Sequence, residues 1–217
     1  MDTAAKGKDV CRNRNDLGAA RRPRLQSKSV GRALRIAPAG GWFHVTTRGN
    51  RLQAVYRDEI DRSWFLSLLG DVAARFEWSV LAYCQMTNHY HLVVHTPKAT
   101  LSAGMQRLNG VHAQRFNWRH GFAGHLFERP FRCRQADSDE DVRELVRYAV
   151  LNPVRAGMHS QPGEWPWSSY RAAAGHVPAP AFLDVPRLYE LFERPGYDGR
   201  VRFVEFVAAG HGLPDNG

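Results

Sequence analysis

The sequence predicts an α+β protein, a ferredoxin-like split βαβ layer in which an antiparallel sheet carries packed helices. Three observations lead there. Alternating or continuously apolar runs mark strands near residues 42–48, 78–86 and 89–95. Apolar residues at helical spacing mark helices over 58–76, onward from 100 or 102, and onward from 138. With a short strand at 131–135, the segments follow in the order βαββαβα.

Each element has a local reason. Trp42 to Arg48 alternates and holds β-branched residues, and Gly49-Asn50 breaks the strand. Between Asp58 and Phe76, the residues Ile60, Trp64, Phe65, Leu68, Leu69, Val72 and Phe76 fall on one helical stripe. Trp78–Met86 and His89–His95 read as strands, and the short Thr87-Asn88 link reads as a hairpin. Thr100 or Ser102 is placed to cap a helix running to about Trp118. Phe131–Gln135 is the short fourth strand. Ser138, followed by Asp139, Glu140 and Asp141, opens the last helix with acids in its first turn. Val142, Leu145, Val146, Ala149 and Val150 form its apolar stripe, and Pro153 is expected to end it. No internal repeat stands out.

Composition bounds the chain further. At 217 residues and 43 % hydrophobic, it suits one ordinary domain with tails and a real core. No run approaches the roughly 18 apolar residues of a membrane span, and no secretory apolar region follows the start. Cys11, Cys84 and Cys133 lack paired spacing and fit a reducing cytoplasm or chance. Of the net charge of +9, residues 1–40 hold +7, from ten Lys/Arg against three Asp. That segment reads as a disordered arm for nucleic acid, although an organelle transit peptide or an upstream start would look the same. A second basic patch over 105–134 interleaves Arg107, Arg115, Arg119, Arg129, Arg132 and Arg134 with Phe116, Trp118, Phe122, Phe127 and Phe131. Such a mixture suits single-stranded nucleic acid, whose phosphates and splayed bases need both kinds of side chain. A solvated basic face over core aromatics is the plainer alternative.

The chemistry concentrates in Asn88-His89-Tyr90-His91-Leu92-Val93-Val94-His95. Side chains on a strand alternate faces, so His89 and His91 point one way and Tyr90 the other. Two imidazoles on one face can share a divalent metal, or can simply be hydrogen-bonded strand histidines. His95 shares their face near the strand end and reads as structural, while His44 on the first strand is a spare ligand candidate. In the last helix Tyr148 and Asn152 stand four apart, on one face, at the edge of the apolar stripe. They could face the histidine pair across the helix–sheet interface. A Mg²⁺ or Mn²⁺ on His89, His91 and the Asn152 carbonyl oxygen would polarise a phosphate. The Tyr148 hydroxyl, with a free pKa of about 10, would attack phosphorus and leave a 5′-phosphotyrosine and a free 3′-OH. Asn-Pro is also a helix stop, so Asn152 has a structural reading of its own.

Several segments resemble the single-tyrosine (Y1, HUH-type) transposases of the IS200/IS605 superfamily, in the subgroup of REP-associated tyrosine transposases. They are Met86-Thr-Asn-His89-Tyr-His91-Leu-Val-Val and Tyr148-Ala-Val-Leu-Asn152-Pro153-Val-Arg155-Ala-Gly157, supported by Gly104–Gly110, Gly124–Phe127 and Trp165–Arg171. Together they cover residues 42–173. The resemblance implies a ferredoxin-like nuclease core with His89 and His91 as metal ligands, Tyr148 as nucleophile and Asn152 as third ligand. Thr87 departs from the Pro expected at that place, which loosens a turn and removes no chemical group.

The chain then divides into the arm at 1–40, a catalytic domain at 41–173 and an extension of unknown role at 174–217. The expected partner is single-stranded or hairpin DNA, with no membrane and no small-molecule substrate. Arg107, Arg115, Arg119, Arg132 and Arg134 are candidates for phosphate contact. Trp165, Trp167 and Tyr170 either stack on bases or pack back on the core. The expected enzyme nicks and joins DNA strands as a monomer or homodimer on the bacterial nucleoid in the cytoplasm. A catalytically silent hairpin-binding protein is the alternative, and a replication initiator or relaxase a third reading.

Overall fold

The computed structural model describes residues 38–210. The basic arm expected over 1–40 falls almost wholly outside the described residues. Four strands, β1 (Gly41–Arg48), β2 (Ser79–Gln85), β3 (His89–Thr96) and β4 (Arg132–Gln135), form one sheet in the order β2-β3-β1-β4. Every neighbouring pair is antiparallel. Three long helices intervene: α1 (Glu59–Phe76), α2 (Leu101–His120) and α3 (Asp139–Arg155). This is the split βαβ arrangement: β3 inserts between β1 and β2, and the two crossover helices α1 and α2 cover one face.

Alternation along the strands sorts side chains into two layers. Phe43 and Val45 of β1 and Tyr90, Leu92 and Val94 of β3 face α1 and α2, where they bury Phe65, Leu69, Val72, Met105 and Leu108. Tyr90 donates its hydroxyl proton to the Asn109 side-chain oxygen in this layer, which satisfies the one polar atom that the ring carries inside. Gly104 lets α2 close on the sheet, since a Cβ there would lie 2.2 Å from the Trp78 ring. On the opposite face, Val93 and Ala82 pack under Val142, Leu145, Val146, Ala149 and Val150 of α3. The sheet therefore separates the layer that holds Tyr90 from the layer that carries His89 and His91.

Helix starts follow their caps. The Asp58 side chain accepts from the Asp61 N–H, and the Ser138 side chain from the Asp141 N–H. Thr100 stands at the N-cap of α2 without a capping bond; its hydroxyl accepts from the Trp78 indole N–H at 3.1 Å instead.

Pro153 does not end the last helix, contrary to expectation: α3 continues through it to Arg155. Proline removes the N–H that would bond the carbonyl of Ala149. The Asn152 side-chain amide fills in, donating to the Tyr148 carbonyl at 2.7 Å and the Ala149 carbonyl at 3.5 Å. Beyond Pro153 the ladder resumes with Ala156 N–H to the Asn152 carbonyl at 2.9 Å.

The segment set apart as a 174–217 extension contains two helices that the sequence reading did not anticipate, α5 (Val185–Glu190) and α6 (Gly199–Ala209), after a short turn of helix, α4 (Tyr170–Ala173). Asp184 and Asp198 cap them, each accepting backbone N–H bonds. Leu188, Phe192, Phe203 and Val207 join the same buried cluster as α3. The chain before α5 also shields the open edge of β2: Asp184 N–H bonds the Val80 carbonyl at 2.8 Å, and Ser169 N–H the Tyr83 carbonyl at 2.9 Å. Trp165, Trp167 and Tyr170 pack back on the core. The Trp165 indole donates to the Gln85 carbonyl at 3.0 Å, the Arg62 guanidinium lies over both tryptophan rings, and Tyr170 is buried. Among the described residues no helix is long and apolar enough to cross a membrane.

Candidate active site

His89 and His91 stand on the α3 face of β3, with ring centroids 5.0 Å apart. Tyr148 comes down from α3 so that its ring meets His91 edge-on, at 5.6 Å between centroids. Asn152 lies one turn further along the same helix. The amide nitrogen of Asn152 is occupied by the helix carbonyls, so its oxygen is the atom left to meet a cation. The structure thus brings the histidine pair and Tyr148 together and keeps Asn152 on the Tyr148 face of α3.

A fourth ring completes the cluster. In the β1–β3 register His44 is opposite Val93 and Thr46 opposite His91, so His44 shares the histidine face, diagonal to His91. Its Nε2 lies 3.0 Å from His91 Nδ1, and the two ring planes are within 3° of parallel with centroids 5.2 Å apart. That separation is about the N···N distance plus half a ring on each side. The two nitrogens therefore meet head-on in a common plane, as a hydrogen bond and not a face-to-face stack. The Tyr148 ring edges against His44 as well, at 5.5 Å.

His89 is held from its own side. Its Nδ1 lies 2.7 Å from the Asn88 side-chain oxygen. The Asn88 amide nitrogen donates to the Leu52 carbonyl at 3.1 Å, which fixes which way the amide faces. An amide oxygen only accepts, so the proton sits on His89 Nδ1 and Nε2 is bare. His91 Nε2 is buried with no hydrogen-bond partner.

The electrostatics keep the rings neutral. Burial pushes the His44 pKa down to about 4, helped by the nearby Arg134 charge. Burial and Arg48 hold His89 down to about 4. His91 is held well below the usual histidine range by burial, with the other two histidines adding to it. Neutral imidazoles with open Nε2 lone pairs are what a divalent cation requires. Among the described residues no group of three or more His, Cys, Asp and Glu side chains could hold a metal ion. A metal here would take the two Nε2 atoms and a neutral oxygen such as that of Asn152. The unpartnered His91 Nε2 fits that role.

The arginines divide. Arg132 and Arg134 of β4 pair with Thr46 and His44 of β1 and so share the histidine face, both exposed. Arg134 also pairs with Asp141 at 2.6 Å. Arg107 and Arg115 sit on α2, in the opposite layer, with Arg115 4.2 Å over the Trp64 ring. Arg119 bonds Asp58 and Asp61 at 2.6 Å each, tying α1 to α2. Two charged residues on the site face did not emerge from the sequence reading: Arg48, opposite His89, and Arg155, whose guanidinium lies 5.0 Å from the Tyr148 ring centroid. Strand alternation from His44 would have placed Arg48.

The site is thus a ferredoxin-like sheet carrying two same-face histidines under a tyrosine of the packed helix. A family model described as "Transposase IS200 like" matches residues 40–149. The chain belongs to that family. The match spans β1 through Tyr148 and stops short of Asn152. Among solved structures, a REP-associated tyrosine transposase bound to a REP hairpin is similar over 68 % of this chain and 86 % of its own, at 18 % identity and a TM-score of 0.55. The tRNA(His) guanylyltransferase of Saccharomyces cerevisiae covers 83 % of this chain and 75 % of its own, at 9 % identity and a TM-score of 0.40, too low to establish a shared fold. No curated protein matches.

Proposed function

We propose that this protein nicks and rejoins single-stranded DNA at hairpin or palindromic repeats through a 5′-phosphotyrosine, as a metal-dependent transposase-like enzyme. The observation that carries the reading is the buried, unpartnered Nε2 of His91 beside the edge of Tyr148. Family membership and the hairpin-bound structural relative support it.

His89 Nε2, His91 Nε2 and the Asn152 oxygen would hold Mg²⁺ or Mn²⁺. Such an ion supplies Lewis-acid polarisation of the scissile phosphate. The Tyr148 oxygen attacks phosphorus and loses its proton. The P–O3′ bond breaks, the 3′-oxygen takes up a proton, and the strand ends as a free 3′-OH with its 5′-phosphate on Tyr148. Attack by a 3′-OH on that linkage reverses the step and restores the tyrosine. Arg155 stands beside the ring where negative charge develops on the phenol oxygen, an interaction that favours that charge. Arg48, Arg132 and Arg134 line the same face and would hold the flanking phosphates, which position the strand without reading its sequence. Arg119 is committed to carboxylates, and Arg107 and Arg115 lie in the other layer, so we assign them no contact at the scissile phosphate. Such an enzyme would work on chromosomal DNA in the cytoplasm.

The test incubates labelled single-stranded oligonucleotides carrying palindromes with the protein and Mg²⁺ or Mn²⁺, and looks for an SDS-resistant protein–DNA adduct. The adduct should vanish in Tyr148→Phe and in His91→Ala. An adduct that persists in Tyr148→Phe refutes the nucleophile. Hairpin binding unaffected by EDTA, with no adduct on any substrate, would instead support the silent DNA-binding reading.

A further inference from the structure

We propose that His44 is a positioning residue: by accepting a hydrogen bond on its Nε2 from His91 Nδ1, it locks His91 in the tautomer whose Nε2 lone pair faces the metal site. The inference rests on the reading of His91 as a metal ligand and assigns His44 a role that is not itself ligation.

The head-on contact of 3.0 Å between His44 Nε2 and His91 Nδ1 requires one proton between two nitrogens. There are two ways to place it. If His44 donates, the neutral His91 must carry its own proton on Nε2. That N–H would then be buried without an acceptor, because Nε2 has no partner, and a buried orphan donor is rare and unfavourable. If His91 donates, its Nε2 is a bare, buried lone pair without a partner, available to a cation. The second arrangement leaves no orphan N–H at Nε2 and matches His89, where Asn88 fixes the same tautomer from outside. The two ligands thus have equivalent supports: an amide oxygen for His89 and an imidazole nitrogen for His91.

Ring orientation is set by the same contact. The coplanar His44–His91 pair lies on neighbouring strands, β1 and β3, the pair joined over eight register positions, and Tyr148 packs edge-on against both rings. His44 therefore fixes the His91 ring plane and supports the wall on which the nucleophile rests. A hydrogen bond to the far nitrogen also makes the ligating nitrogen a better donor, and loss of such a support commonly weakens metal affinity about 10–100-fold.

Two variants separate this role from packing. His44→Met fills similar space but offers only a weak thioether acceptor. His44→Gln places an amide oxygen that can accept from His91 Nδ1. The first readout is long-range ¹H–¹⁵N NMR of the histidine rings in the metal-free protein. His91 should carry its proton on Nδ1 in the wild type and in His44→Gln, and should shift towards Nε2–H in His44→Met. The second is Mn²⁺ affinity by calorimetry, expected to weaken about 10–100-fold in His44→Met and to recover in His44→Gln, with circular dichroism unchanged in both. A wild-type His91 protonated on Nε2 overturns the proposal, as does undiminished Mn²⁺ binding in His44→Met. A wild type whose Mn²⁺ binding is absent, or is unchanged by His91→Ala, overturns the metal reading itself. Metal binding that is lost in His91→Ala and intact in His44→Met sinks the role of His44 alone.

Discussion

Phe203→Ala should unseat the helix that carries Tyr148. Phe203 is 0 % exposed, meets Phe192 at 5.7 Å and Tyr170 at 5.9 Å between ring centroids, and sits in the cluster that includes Val142, Val146, Ala149 and Val150 of α3. Its ring removes about 150–250 Å² from water, worth about 4–6 kcal/mol at about 25 cal/mol per Å². Truncating a buried Phe to Ala typically costs about 3–5 kcal/mol. Against a total stability of about 5–15 kcal/mol, that is a large fraction. For a chain of this size about 1 kcal/mol moves the midpoint by about 2–4 °C, so Tm should fall by roughly 6–20 °C. Val201→Ala on the same helix is the control: Val201 is 48 % exposed, and the change should stay within about 0.5 kcal/mol. Thermal melts followed by circular dichroism read both, and adduct formation at each temperature should track the folded fraction. A Phe203→Ala midpoint within about 2 °C of wild type would refute the claim that residues 174–210 are part of the core supporting α3.

Other predictions concern charge. Arg119→Ala should lower Tm while leaving DNA affinity unchanged, because Arg119 is bound to Asp58 and the buried Asp61; Arg132→Ala should do the reverse and flatten the salt dependence of DNA binding by about 0.7–0.9 in log–log slope per lost contact. Filter binding at several salt concentrations, with melts alongside, separates them. The metal-free protein should lose stability as pH falls from about 7 towards 4. His44 and His89 titrate near 4 when folded and near 6.5 when unfolded, so the unfolded chain binds more protons in that window and acid favours it. A Tm independent of pH across that range would contradict neutral histidines with lowered pKa values.

Local periodicity made part of this molecule legible from its sequence. Period 2 put His89 and His91 on one face and Tyr90 on the other; period 3.6 put Tyr148 and Asn152 on one edge of an apolar stripe. Both are properties of a single element and need no partner. The order of strands and helices likewise pointed to the split βαβ layer, because few topologies accommodate it. Contacts distant along the chain were decided only in three dimensions. His44 and His91 are 47 residues apart, and only the β1–β3 register makes them hydrogen-bond. Arg119, a candidate for phosphate contact from the sequence, meets Asp58 and Asp61 only through the approach of α1. Pro153 looked like a stop until the Asn152 side chain took over the donor role that proline lacks. Helices α5 and α6 are short, and their apolar residues acquire meaning only where α3 and Tyr170 give them something to bury against. The sequence by itself determined which side chains share a face; the tertiary structure decided what those faces meet, because burial and hydrogen bonding are settled between elements and not within them.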